Sequence, residues 1–222
     1  MSSAQNRIWY LAYGSNLSLD RFRCYLVGGR PAGSRVSYPG CRDRTEPTQA
    51  VPFAIRGRLF FTGPSTTWGG GTAVYDPDGA APVAVTAYLV DVGQLADVLA
   101  QEMRRRPAAE LDLGPLRRHG RQRTGPGRYE TILQTGTRDA IPMVTLTSER
   151  TDRAVLTAPT EPYLRTMAHG LRTVHGWSTG RIASYLAAIP GYGQPPGEPQ
   201  RGAEIRIVAG TEPGRRWTPI EP

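Results

Sequence analysis

Tyr10-Leu11-Ala12-Tyr13-Gly14-Ser15-Asn16-Leu17, close to the N-terminus, is a strand running into a polar turn. Ile8 to Tyr13 are aromatic or apolar without polar interruption, which predicts a strand buried on both faces. Gly14-Ser15-Asn16 breaks the run, and Ser18 to Leu26 then reads as a helix with Leu19, Phe22 and Leu26 on one face. Ser18 is a suitable N-cap, and Asp20 in the first turn suits the positive end of the helix dipole. A strand, a Gly-containing turn and a helix start can aim successive backbone N–H groups of Gly14, Ser15, Asn16 and Leu17 at one carboxylate or phosphate. Gly14 lets the backbone take a dihedral closed to other residues. An ordinary βα turn has the same composition, so the turn alone leaves both readings open.

The string Tyr13-Gly14-Ser15-Asn16-Leu17 at the end of a first strand resembles the signature of the γ-glutamylcyclotransferase family, which includes the butirosin-pathway and γ-glutamylamine cyclotransferases. In that family the loop holds the α-carboxylate of a γ-glutamyl group. The resemblance therefore implies substrate-binding roles for Tyr13, Gly14, Ser15, Asn16 and Leu17, and it calls for a second anchor elsewhere in the chain.

The composition narrows the alternatives. The 222 residues suffice for one sizeable domain, and 26 Gly with 20 Pro predict a loop-rich fold. No apolar run approaches membrane-spanning length, and Met1 to Arg7 has no signal-peptide core, so a cytoplasmic protein without a membrane partner is expected. Cys24 and Cys41 are too few for a disulfide scaffold or a zinc site; reduced thiols are the default, and a single Cys24–Cys41 bridge stays open. The net charge is +8, and all 27 basic residues are Arg, which excludes lysine Schiff-base and phosphate-loop chemistry. Such a balance can attract anionic metabolites or nucleic acid, but no nucleic-acid-binding signature accompanies it, so nucleic acid is not the expected partner.

Residues 28–50 are punctuated by Gly, Pro and Arg and read as loop. Strands are expected at Phe53–Phe61, after Trp68-Gly69-Gly70-Gly71, at Val83–Val90, at Tyr129–Gln134 and at Ile141–Thr147, with Pro142 at an edge or a strand start. Gln94 to Met103 follows a helical period through Leu95, Val98, Leu99 and Met103. Glu102, near the end of this helix, reads on spacing alone as a surface residue. Set beside the family pattern, a strand and a leucine-bearing helix ending in Glu is where these enzymes keep their acid–base residue, so the resemblance implies that role for Glu102. The match departs at Met103, where many relatives have Gly.

Residues 104–128 hold eight arginines broken by Pro107, Pro115 and Pro126. They read either as a solvated loop or as a lid that attracts an anionic substrate tail. Pro159 to Leu164 opens a long helix bearing Leu164, Met167, Ala168 and Leu171 on one face. The resemblance implies that Tyr163 lines the substrate pocket; a core or rim aromatic is the alternative. Trp177 to Ala188 is a further helix capped by Ser178, and Ile205–Val208 is a candidate last strand. His119, His169 and His175 form no metal pattern and read as structural or surface groups.

The element order predicts an α+β fold, a small mixed β-barrel or sheet with helices packed outside. The expected organisation is one γ-glutamylcyclotransferase-like domain over 1–190, with insertions at about 28–50 and 104–127, and a Pro/Gly-rich C-terminal extension, 191–222, packed on it. The chemistry that the resemblance implies is intramolecular aminolysis: the α-amine of a γ-glutamyl group attacks its own γ-carbonyl, giving 5-oxoproline and a free amine. Glu102 would move the proton, in a pocket built by residues such as Tyr13, Tyr88 and Met103, with no metal or organic cofactor. Two other readings stand beside it: γ-glutamyl deprotection or acyl transfer on a larger amine in a biosynthetic pathway, and a non-catalytic Arg-rich binding protein on the same fold. The leaving amine and the oligomeric state are not fixed by the sequence.

Overall fold

The strand that carries the polar turn lies inside the sheet. A computed structural model describes residues 6–107, 110–149, 151 and 155–193. In it β1 (Arg7–Ala12) pairs antiparallel with β3 (Thr72–Asp91), Arg7 opposite Asp91 and Ala12 opposite Thr86, and parallel with β6 (Ile141–Thr147) through Trp9–Met143 and Tyr10–Val144. With β2 (Gln49–Thr62), β4 (Arg121–Arg123) and β5 (Thr131–Arg138) the sheet has six strands in the order β2-β3-β1-β6-β5-β4. The sheet is mixed and open. The barrel alternative is not realised, because the hydrogen-bonded order ends at β2 on one side and at the three-residue β4 on the other.

Side chains alternate along β1 and divide the core into two layers. Trp9 and Leu11 pack with Leu17, Phe61, Met167 and Leu171, beneath α4 (Glu161–Thr173) and α5 (Thr179–Ala187). Ile8, Tyr10 and Ala12 pack with Phe22, Tyr25, Leu95 and Leu99, beneath α1 (Leu19–Leu26) and α2 (Val92–Glu102). Helices on both faces explain why this strand is apolar from Ile8 to Ala12. In α1, Ser18 Oγ accepts from Arg21 N at 3.4 Å, and Phe22 stacks on Tyr88 of β3 with ring centroids 4.2 Å apart.

The loop expected over 28–50 ends at residue 48, where β2 begins at Gln49, and it is tied down. Asp97, buried in α2, accepts from Arg42 N at 2.8 Å and Arg42 Nε at 3.0 Å, and Gln101 Oε1 accepts from Gly40 N at 3.3 Å. Cys24 and Cys41 are free, so the open question of a bridge is answered. Burial, followed by the charges of Asp97 and Asp43, pushes the Cys41 thiol up to about 12, which leaves it unreactive. The Arg-rich segment is more regular than its composition suggests: α3 (Gly114–His119) precedes β4 and is closed by the left-handed Gly120. The two strands expected on either side of Asp76–Pro82 are one strand, β3. The candidate strand at Ile205–Val208 and the 194–222 part of the extension lie outside the described residues.

His175, between α4 and α5, gives the fold a pH dependence. Burial, and then the Arg181 charge, hold its imidazole down at about 4, against an ordinary 6.5. The unfolded chain binds this proton below about 6.5 while the folded chain resists it to about 4, so His175 favours folding above that window and the contribution is lost as pH falls through it. The urea midpoint is therefore expected to drop between pH 6.5 and 4 in the wild type and to drop less in His175→Gln.

Candidate active site

Gly14 to Leu17 form one 3₁₀ turn between β1 and α1, buried at all four positions, with Gly14 at φ +66°. The turn is clamped from several sides. Thr86 Oγ1 donates to Leu17 O at 2.9 Å, and Tyr88 Oη donates to Asn16 O at 3.0 Å. Gly170 of α4 lies so close that a Cβ there would meet the carbonyl carbon of Leu17 and come within 2.5 Å of Leu17 O and Ser18 N. A Cβ at Gly14 would fall 2.6 Å from Tyr163 Oη. With its carbonyls tied off behind and helices packed on it, the turn is rigid, which suits a binding element.

The turn borders a cavity of about 240 Å³ lined by Tyr10, Tyr13, Ser15, Asn16, Glu102 and Tyr163, among others. That is below the range of drug-sized pockets, roughly 300–1,000 Å³, and suits a small polar unit. Glu102, the last residue of α2, is half-buried and is the single carboxylate among the described lining residues. Asn16 Nδ2 donates to Glu102 Oε1 at 3.0 Å, and this contact joins positions 86 residues apart. It also fixes the orientation of the Asn16 amide, whose buried Oδ1 has no partner among the described residues. The surface reading of Glu102 is thereby excluded.

Tyrosines make much of the remaining wall. Tyr163 Oη accepts from Ala73 N at 2.9 Å, and Tyr129 Oη donates to Ala73 O at 2.9 Å. Tyr13 Oη donates to Leu146 O at 2.6 Å. Burial raises Tyr10, Tyr13, Tyr129 and Tyr163 above the ordinary phenol value, so all four hydroxyls stay protonated at neutral pH. Trp68 meets Tyr163 edge to face with centroids 5.5 Å apart, which brings the Gly-rich stretch to the cavity.

Three expected positions differ. Gly14 does not itself line the cavity; its backbone passes beside Tyr163 Oη instead. Leu17 points into the core beneath α4, so its side chain packs the turn from behind. Tyr88 does not line the cavity either; it stacks on Phe22 and holds the turn through its hydroxyl. Met103 does line it. Sequence reasoning missed Arg21, Tyr129, Thr72 and Ala73. A charge on the otherwise apolar face of α1 was the available signal for Arg21; for the others, ordinary strand residues gave none. Among the described residues no group of three or more His, Cys, Asp or Glu could hold a metal ion, and no helix is long and apolar enough to cross a membrane.

The order and pairing of these elements find counterparts among solved structures. The chain shares the γ-glutamyl cyclotransferase fold. A structure described as a γ-glutamyl cyclotransferase aligns with a TM-score of 0.50 at 15% identity, covering 86% of this chain and 94% of that one. A protein from Homo sapiens, described only as uncharacterised, aligns with a TM-score of 0.51 at 16% identity, covering 90% of this chain and 95% of that one. At such identities the likeness concerns the fold alone. No family model matches the chain. Among curated proteins, histone deacetylase 5 of Arabidopsis thaliana is 34% identical over 99 residues, 43% of this chain. The match spans only 15% of that protein's length.

Proposed function

We propose that this chain is a γ-glutamyl cyclotransferase-like enzyme that releases 5-oxoproline and a free amine or amino acid from a γ-glutamyl amide. The observation that carries this reading is the contact of Asn16, in the glycine turn, with Glu102 across one small cavity at 3.0 Å. A small site, a single carboxylate among its described lining residues and protonated phenols match what the reaction needs.

In this reading the N–H groups of the Gly14–Leu17 turn hold the substrate α-carboxylate. The α-ammonium meets Glu102, which Asn16 Nδ2 holds at the cavity wall. Glu102 takes one proton, the amine nitrogen bonds to the γ-carbonyl carbon, and the tetrahedral intermediate expels the leaving amine as Glu102 returns that proton to its nitrogen; the surplus proton on the ring nitrogen then passes by way of Glu102 to the released amine, which departs as an ammonium. No net proton, electron pair or water is consumed. Nucleophile and electrophile share one molecule, so holding the folded conformer supplies much of the rate. Tyr163, whose oxygen accepts from Ala73 N and whose proton has no acceptor among the described residues, is placed to donate to the developing oxyanion.

The test is incubation of the protein with a panel of γ-glutamyl amino acids and γ-glutamyl amines, read by chromatography of 5-oxoproline. Release of 5-oxoproline in step with the free amine is the expected result. No product from any member of the panel would remove the reading. Retention on heparin that falls steeply with salt would then favour the Arg-rich binding protein.

A further inference from the structure

Arg21 is the least ordinary charged residue of the molecule. It sits on α1, one turn beyond the glycine turn, and its side chain borders the same cavity as Glu102 while the residue is only 3% exposed. Its guanidinium carbon lies 4.1 Å from the centroid of the Tyr25 ring and 4.4 Å from that of Tyr38. Its Nε and Nη1 are buried and have no hydrogen-bond partner among the described residues, and no ion pair of 4.0 Å or less joins it to a carboxylate there. Stacking on ring faces attracts the cation but leaves the N–H donors, which lie in the guanidinium plane, without acceptors. Buried unpaired donors on a fixed positive charge are costly, and the cost is removed by an oxyanion arriving in that plane, where the planar fork can bind it through two parallel bonds.

The surroundings say which part of a substrate brings that oxyanion. Ser15 and Asn16 of the glycine turn mark one region of the cavity, where the α-carboxylate is proposed to rest. Arg21 stacks instead on Tyr38, and Tyr38, Gln101 and Arg104 also form the wall of a neighbouring groove. That groove is lined by Arg42, Arg44, Arg104, Arg105 and Arg106 and by no Asp or Glu among the described residues. Arg42 is engaged by Asp97, and Arg104 is steadied by Thr66 at 2.6 Å and Thr67 at 2.5 Å. Arg21 thus stands where the cavity opens into a basic groove.

We propose that Arg21 is a specificity-determining residue that binds an oxyanion, carboxylate or phosphate, carried by the leaving amine of the γ-glutamyl substrate, an assignment that rests on the cyclotransferase reading. Neutral and cationic leaving amines leave the buried guanidinium unpaired and are selected against.

The experiment compares γ-glutamyl-alanine, γ-glutamyl-alaninamide and γ-glutamyl-phosphoethanolamine by 5-oxoproline release. In the wild type, kcat/KM for at least one anionic substrate should exceed that for the alaninamide by about tenfold or more, the usual worth of a hydrogen bond to a charged group. The larger of the two anionic values distinguishes carboxylate from phosphate. Arg21→Gln should collapse the preference, and Arg21→Lys, which keeps the charge without the planar fork, should restore part of it. A wild-type ratio near one overturns the proposal whether or not the variants fold. So does a preference that survives Arg21→Gln and disappears in Arg104→Gln. If no substrate turns over, the cyclotransferase reading fails by itself, and the anion site is then read by calorimetric titration of wild type and Arg21→Gln with inorganic phosphate. Binding lost in the variant supports the site; no binding to the wild type overturns it.

Discussion

Replacing Glu102 by Gln is expected to lower 5-oxoproline release by at least about 10²-fold, the usual contribution of a positioned general acid–base group. Gln is the informative change because its amide oxygen can still accept from Asn16 Nδ2, across the same 3.0 Å, so the turn and α2 stay joined. What disappears is the ability to take the ammonium proton and return it to the leaving amine. The loss should appear in kcat and in kcat/KM together, with the thermal midpoint close to that of the wild type, since the affected step occurs only on the way to the transition state. Turnover near the wild-type level would remove Glu102 from the mechanism. As the cavity offers no second carboxylate among its described lining residues, it would also turn the search toward chemistry without a carboxylate base.

Gly170→Ala is expected to have a large effect on stability. The new methyl group would be driven against the Leu17 carbonyl and to 2.5 Å from Ser18 N, both of them backbone. Neither can rotate away, so α4 must lift from the turn. Overpacking of this kind costs about 1–3 kcal/mol, and backbone partners place Gly170 toward the upper end. For a chain of this size that corresponds to a thermal midpoint lower by roughly 5–10 °C. Gly180→Ala in α5 is the matched comparison: it is also a helical glycine, but nothing lies within 4 Å of the added Cβ. There the change should be neutral or stabilising by up to about 1 kcal/mol, through helix propensity. Calorimetry of the two variants checks the pair, and equal midpoints would show that α4 does not press on the turn as described.

Much of this architecture is legible in the residues because local signals and burial agree. Ile8 to Tyr13 are apolar throughout because helices cover both faces of β1. Ser18 and Ser178 cap the helices they precede, each accepting from the N–H three residues on. Leu95, Val98 and Leu99 trace the buried face of α2. The unity of β3 was hidden by Pro77, Gly79 and Pro82, which read as breaks. Pro77 and Gly79 occupy a bulge instead, and Pro82 pairs with Arg56: Arg58 opposes Asp76 while Gly57 opposes Ala81, so the intervening residues leave the ladder and the strand continues. In the Arg-rich segment charge masked the punctuation of α3, although Pro115 in its first turn and Gly120 at its end are the ordinary start and stop signals.

At the site, the glycine turn and Glu102 were visible through a family resemblance, because the chemistry it implies is tied to particular residue types at particular elements. Arg21 was not, because its significance comes from three-dimensional neighbours. An arginine on a helix is ordinarily solvated, and only the Tyr25 and Tyr38 rings, the absence of an acceptor at Nε and Nη1 and the adjoining cavity set it apart.

The placement of β1 bears on how such a site comes into being. Its residues leave the ribosome before those of its neighbours: the antiparallel partner comes only with Thr86–Asp91 and the parallel one only with Met143–Val144. The helix that presses on the turn follows later still, at Glu161–Thr173. Until those segments emerge, the nascent chain carries an aromatic strand with two open edges, in need of shelter from pairing with other chains. The turn at its end is therefore made before the segments that fix it, and completed only after them.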